Sequence, residues 1–164
     1  ANTDYVIADL AAQAEHLGGL SILITNSKKI AKLLKTQPMR GVVVLVKNLK
    51  DAVDIANRIA PEHLQILVKR PHKLVKDIKH AGAIFVGPYS PTAVGDYIAG
   101  PSHVLPTFGT ARFFSGLGLE EFLKSSHVIQ YSKRALEKVR EPIEHIAGLE
   151  GLKKHIESIK VRFQ

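Results

Sequence analysis

Four short apolar runs, at residues 20–25, 41–46, 64–68 and 83–86, carry almost no polar alternation. A strand with one wet face alternates apolar and polar residues, so runs without alternation belong to a sheet covered on both faces. Stretches with helical spacing separate them. Residues 48–60 put Leu49, Ala52, Val53, Ala56 and Ile59 on one face and stop at Pro61, and Ser27 can cap a lysine-rich helix running to about Thr36. Strands alternating with helices are the order of a parallel sheet. The expected class is α/β: a largely parallel sheet flanked by helices, an incomplete Rossmann-like body, with a C-terminal helical tail.

At the start of the chain, Thr3 serves as the expected N-cap. Val6, Ile7, Leu10 and Ala14 then recur at helical spacing, and the pattern stops at His16, before Gly18-Gly19. Pro71 opens a short helix that Gly82 closes. After that, Gly87, Pro88, Pro91, Gly95, Gly100, Pro101, Pro106 and Gly109 punctuate a segment almost free of charge, in which Ser90-Pro91 can start one helical turn. Long ordered loops of this kind usually carry function. Helical texture returns at 119–124, a short strand is expected at 128–130, and helices at 132–147 and 150–161. The expected organisation is an α/β body over 1–112, a linker at 113–118, and a helical tail over 119–164.

A chain of 164 residues allows one substantial hydrophobic core. Its net charge of +8 admits a nucleic-acid or membrane-surface partner, but placement argues otherwise. No Lys or Arg occurs in residues 1–27 or between Lys79 and Arg112, and no aromatics interleave the lysines to make a stacking platform. Nucleic-acid binding is therefore not expected. The absence of Cys removes disulfides, thiolate nucleophiles and cysteine metal sites. The longest apolar run, 41–46, is far short of the ~20 residues that span a membrane, and no leader-like pattern opens the chain. A soluble, cytoplasmic protein is the expectation, and the only Met, Met39, makes this chain read as part of something longer.

Several residues can carry chemistry. Gln13 and His16, three apart at the end of the first helix, can grip one metal ion, or His16 can simply face the helix dipole. Glu62-His63 follows Pro61 where a helix hands over to a strand, and an imidazole beside a carboxylate can move two protons; a surface pair is the plainer alternative. Asp96 and His103 stand out in the charge-poor loop, where Asp96 can also be a local turn cap. His155 has no special spacing from Glu150. No Walker loop, nucleophile elbow or His-Glu-x-x-His occurs, and Gly116 and Gly118 give only half a dinucleotide fingerprint, with Glu121 where the third Gly belongs.

Four elements in register carry a resemblance. They are Ala8-Asp9-Leu10 with Gln13-Ala14-Glu15-His16; Ala60-Pro61-Glu62-His63-Leu64; Ser90-Pro91-Thr92-Ala93-Val94-Gly95-Asp96-Tyr97; and Gly100-Pro101-Ser102-His103-Val104-Leu105-Pro106-Thr107. Together with Glu150-Gly151-Leu152 and His155, they make the chain resemble the C-terminal half of the histidinol dehydrogenase family. That family oxidises L-histidinol to L-histidine through the aldehyde in two NAD-dependent steps, with a bound Zn²⁺, in histidine biosynthesis. The resemblance implies Gln13, His16, Asp96 and His155 as metal ligands. It implies His63 as the general base and Glu62 as the group that activates water for the second step. His103 and Glu150 would contact substrate, as would Asp96 and His155 at the metal. It also implies a homodimer whose exchanged tail brings Glu150 and His155 to the neighbouring subunit.

Two departures accompany the resemblance. The family enzyme is much longer, with its cofactor-binding half upstream, and the segment between His16 and Glu62 is shorter here. No site for NAD is identified in these residues. The expectation is an enzyme part that needs an upstream NAD-binding half, the alternative being a non-catalytic α/β module that binds a small ligand or assembles through the retained metal site.

Overall fold

A computed structural model describes residues 1–16, 18–36 and 41–164. The chain is α/β, with short parallel strands and helices that include C-terminal ones, as the apolar runs require. It forms two compact units, Ala1–Leu123 and Lys124–Gln164.

In the first unit, α1 (Thr3–Ala14) is capped by Asn2, whose side chain accepts from the Asp4 N–H at 2.9 Å, so Thr3 is the first helical residue and not the cap. The helix ends at Ala14, which leaves His16 in the turn beyond it. Gly19 then passes across the helix end: a Cβ there would lie 2.4 Å from the Gln13 carbonyl oxygen. The chain enters β1 (Ser21–Thr25) at Ser21, which is buried and donates its hydroxyl to the Leu10 carbonyl at 2.8 Å. Through α2 (Lys28–Leu34), capped by Ser27 as expected, the chain reaches β2 (Gly41–Leu45), parallel to β1 with Ser21 opposite Gly41.

Helix α3 (Leu49–Ile59) starts with a reciprocal cap. The Asn48 side chain accepts from the Asp51 N–H and donates to the Asp51 carboxylate, satisfying an end of the helix that would otherwise be bare. The helix stops at Ala60, which is left-handed (φ 51°, ψ 63°) and fully buried, and Pro61 prevents resumption. Strand β3 (His63–Ile66), the short α4 (His72–Val75) and β4 (Ala83–Val86) follow, with β3 and β4 parallel and His63 opposite Ala83. Helix α5 (Thr92–Tyr97) is the turn expected after Ser90-Pro91.

Sequence and structure differ in instructive ways. The strands form two separate parallel pairs, β1–β2 and β3–β4, and not one continuous sheet among the described residues. Nor are both faces covered, because Val42, Leu45 and Ile84 are exposed. Strand β3 starts at His63, one residue before its apolar run, and stops at Ile66. Residues 119–124 contain only the 3-10 turn Leu119–Phe122, and 128–130 have no strand partner and are not a strand. Short apolar stretches become strands only where a neighbour supplies the ladder.

The second unit is a helical hairpin of α6 (Lys133–Leu149) and α7 (Lys153–Lys160). Gly151 at φ 74° turns the chain, and the Leu152 N–H reaches back to the Ala147 carbonyl at 2.8 Å. Ala147 is buried, and the Arg140 guanidinium lies over the Phe163 ring, 5.2 Å from its centroid. No helix among the described residues is long and apolar enough to cross a membrane.

Ser21→Ala removes a buried hydroxyl bond that ties α1 to β1. A loss of about 1 kcal/mol in unfolding free energy is expected in urea titration, with an unchanged denaturant slope.

Candidate functional site

The handover from α3 to β3 fixes the position of His63. Once Ala60 and Pro61 have turned the chain, β4 zips onto it: the Gly82 N–H donates to the Pro61 carbonyl at 2.9 Å and the Ala83 N–H to the Glu62 carbonyl at 2.8 Å. That approach leaves no room for a side chain at Gly82, where a Cβ would lie 2.6 Å from the Glu62 oxygen and 3.2 Å from Pro106 Cδ. The punctuated loop is thereby drawn against the same corner. Arg112 fastens it further, donating to the Gly109 carbonyl at 2.7 Å and to the carbonyl of Arg58 near the end of α3.

On the face of β3–β4 that carries His63, the register sets Gln65 beside Phe85. The His63 and Phe85 rings are 5.9 Å apart between centroids and inclined at 39°. Gln65 Nε2 donates to the Ser90 carbonyl at 3.5 Å, and the Ser90 hydroxyl donates to the Val86 carbonyl at 3.2 Å, so the approach to α5 is tied to this strand pair. Asp96 on α5 then comes within 3.5 Å of His63, Oδ1 to Nε2, with the two side chains only 24% and 11% exposed. Both nitrogens of His63 are nonetheless buried without a hydrogen-bond partner. The carboxylate is in ion-pair reach but not aligned for a hydrogen bond.

The other expected residues lie on separate elements. Glu62 is half-buried beside His63, and no ion pair joins the two among the described residues. Gln13 is half-buried in the last turn of α1 and His16 is exposed just beyond it, while His103 is exposed in the loop. Glu150 and His155 belong to the second unit, at the end of α6 and on α7, and both are exposed.

Among the described residues no three His, Cys, Asp or Glu side chains gather to hold a metal. The set implied by the resemblance draws only His16 and Asp96 of these types from the first unit, with an amide from Gln13, and takes His155 from another copy. Such a set creates no cluster of three within one chain. Its donors, imidazole nitrogen and carboxylate or amide oxygen, suit Zn²⁺ chemically.

With this geometry in view, the relatives are informative. Residues 35–163 match the sequence pattern of the family described as histidinol dehydrogenase. The chain belongs to the histidinol dehydrogenase family. It is 44% identical to the histidinol dehydrogenase of Caldanaerobacter subterraneus subsp. tengcongensis, covering 99% of this chain and 42% of the relative. The match to that of Desulfotalea psychrophila is 45% identical, covering 96% and 41%. The crystal structure of histidinol dehydrogenase from Elizabethkingia anophelis superposes with a TM-score of 0.90 at 29% identity, over 99% of this chain and 42% of that one. The chain thus spans about two fifths of the length of these histidinol dehydrogenases.

Phe85 is the residue of this site that the sequence does not single out. It reads there as an ordinary core residue, and Gly95 reads as loop punctuation and as part of the resemblance.

Gly82→Ala forces its new methyl against the Glu62 carbonyl, and backbone cannot step aside as a flexible side chain does. We expect about 2 kcal/mol of lost stability in thermal unfolding, the scale of an overpacked interior, and a β3–β4 pair whose amides exchange with solvent faster than in the native chain.

Proposed function

We propose that this chain is the proton-transfer and metal-binding part of a zinc-dependent histidinol dehydrogenase, acting on L-histidinol to give L-histidine by way of the aldehyde. The observation that carries the reading is the buried, unbonded imidazole of His63 beside Asp96. Membership of the histidinol dehydrogenase family supports it.

In this reading His63 takes the carbinol proton as the alcohol is oxidised, and does so again when the hydrated aldehyde is oxidised. A base already out of water and free of competing partners needs no desolvation at the moment of transfer. Glu62 takes a proton from the water that hydrates the aldehyde, a task present only because the product is an acid. Gln13, His16 and Asp96, with His155 from a second copy of the chain, would hold Zn²⁺, which when bound anchors the substrate's nitrogen and orients the carbinol. His103 and the second copy's Glu150 would contact substrate. Exposed apolar residues on the tail, Ile146 and Leu149 among them, support its docking on such a copy. The residues do not fit NAD in the same way. They contain no complete glycine fingerprint opening a helix to cradle its phosphates, so the cofactor's site is assigned to polypeptide outside this chain. A cytoplasmic location and a homodimer belong to the same reading.

Turnover is tested by NADH absorbance with purified chain, L-histidinol, NAD⁺ and Zn²⁺, with and without a polypeptide supplying the remainder of the family's length. Negligible reduction by the chain alone is expected, with turnover restored on addition and lowered by at least about 100-fold in His63→Ala. Strong turnover by the chain alone would overturn the assignment of the cofactor site. Failure to restore it would favour the non-catalytic binding module.

Metal content gives an independent check. Asp96→Asn removes a charged ligand and is expected to lower bound zinc sharply, as is His16→Ala. Unchanged stoichiometry in both variants would refute the ligand set.

A further inference from the structure

No hydrogen bond orients the His63 ring, although Asp96 Oδ1 lies 3.5 Å from its Nε2. Histidines that do chemistry are usually held by a hydrogen bond from the second ring nitrogen to a carboxylate or carbonyl, yet here both nitrogens are buried and unbonded. Besides Asp96, the ring's neighbour is Phe85, a buried side chain on the same face of the β3–β4 pair with its centroid 5.9 Å away. Phe85 meets α5 on its other side. A Cβ built on Gly95 would lie 2.6 Å from both Cε1 and Cζ of Phe85, closer than real contacts come, so the ring occupies the space where any other residue would carry its side chain. The next residue is Asp96.

Helix α5 cannot resist this contact unaided. It has six residues and no side-chain cap, and a helix of that length has little stability of its own. Its position comes from what it rests on: the Phe85 ring under Gly95, and the Gln65 and Ser90 bonds at its approach.

We propose that Phe85 is a positioning residue for the proposed base, its ring wedged between the His63 imidazole and Gly95 so that it sets both the ring orientation and the separation from Asp96. This rests on the reading of His63 as the base. Side-chain packing here replaces the usual second hydrogen bond. That arrangement leaves both nitrogens without a hydrogen-bond partner, and it makes orientation depend largely on shape. A smaller residue at 85 lets the imidazole turn away from the substrate hydroxyl. A larger one at 95 must push either the ring into His63 or α5, with Asp96, outward.

The test compares Gly95→Ala, Phe85→Leu and the double variant in the full chain. If the contact is as described, Gly95→Ala lowers the urea midpoint and shifts the His63 ring resonances in a spectrum of ¹³C-histidine-labelled protein. Adding Phe85→Leu, which removes the ring atoms that the new methyl meets, recovers most of the lost midpoint. Additive losses in the double variant would overturn the wedge. Phe85→Met, flexible enough to refill the space, repeats the measurement should Phe85→Leu not fold.

The second readout uses the restored turnover described above. Phe85→Leu is expected to lower kcat by about 100-fold, the scale of a misplacement near 1 Å, with KM within twofold. A folded Phe85→Leu with native kcat, or with KM changed as much as kcat, would overturn the positioning role. Should the native chain show no turnover with the added polypeptide, the reading of His63 as base has failed, and the coupling between residues 85 and 95 decides the wedge by itself.

Discussion

A buried imidazole with no hydrogen-bond partner is the constraint around which the first unit is organised. Each unmet polar group in a protein interior costs about 1–3 kcal/mol, so His63 stays where it is only because its backbone has no alternative. The bonds from Gly82 to Pro61 and from Ala83 to Glu62 hold the start of β3 against β4. Two glycines make the arrangement possible, Gly82 where backbone meets backbone and Gly95 where a helix meets an aromatic ring. Neither is needed for a turn; both are needed because nothing larger than hydrogen fits. The free energy spent on the buried ring is supplied by packing elsewhere, a pattern expected of sites kept ready for a ligand.

Much of the fold was legible in the sequence because burial on a parallel strand suppresses alternation, and residues 20–25, 41–46 and 83–86 show that suppression directly. The interruption at Pro61 likewise marked the end of α3. What could not be read is pairing. Whether strands join into one sheet or two depends on contacts between distant residues, and a run such as 128–130 looks the same with or without a partner. The site divides along the same line. Asp96 stood out because charge is scarce around it, and His63 because it follows Pro61 and Glu62. Their meeting at 3.5 Å depends on the β3–β4 register and on the fit of Gly95 over Phe85, which no local pattern encodes. The expected metal ligands form no cluster of three among the described residues, and the set implied by the resemblance draws one of them from another copy.

The coverage of the histidinol dehydrogenases bears on the open faces of the strands. Val42, Leu45 and Ile84 are apolar, lie on strands and remain exposed, although burying such surface yields roughly 25 cal/mol per Å². A chain that spans 42% of its relatives' length shares their fold, with a TM-score of 0.90 to one of them, while leaving this surface bare. Local signals, caps and prolines and glycines, are written into each segment.

Ala60 shows how small a group can govern a site. Left-handed backbone is the province of glycine, and alanine pays for it with steric crowding of about 1–2 kcal/mol. In return, an alanine samples fewer shapes when the chain is unfolded, which recovers part of that loss. Its methyl has no solvent exposure at all, so the position is closed to anything bulkier. Three residues before the imidazole, the heading of the chain is thus dictated by a side chain with no chemistry, and substitution is tightly restricted at a residue with no part in the proposed proton transfer.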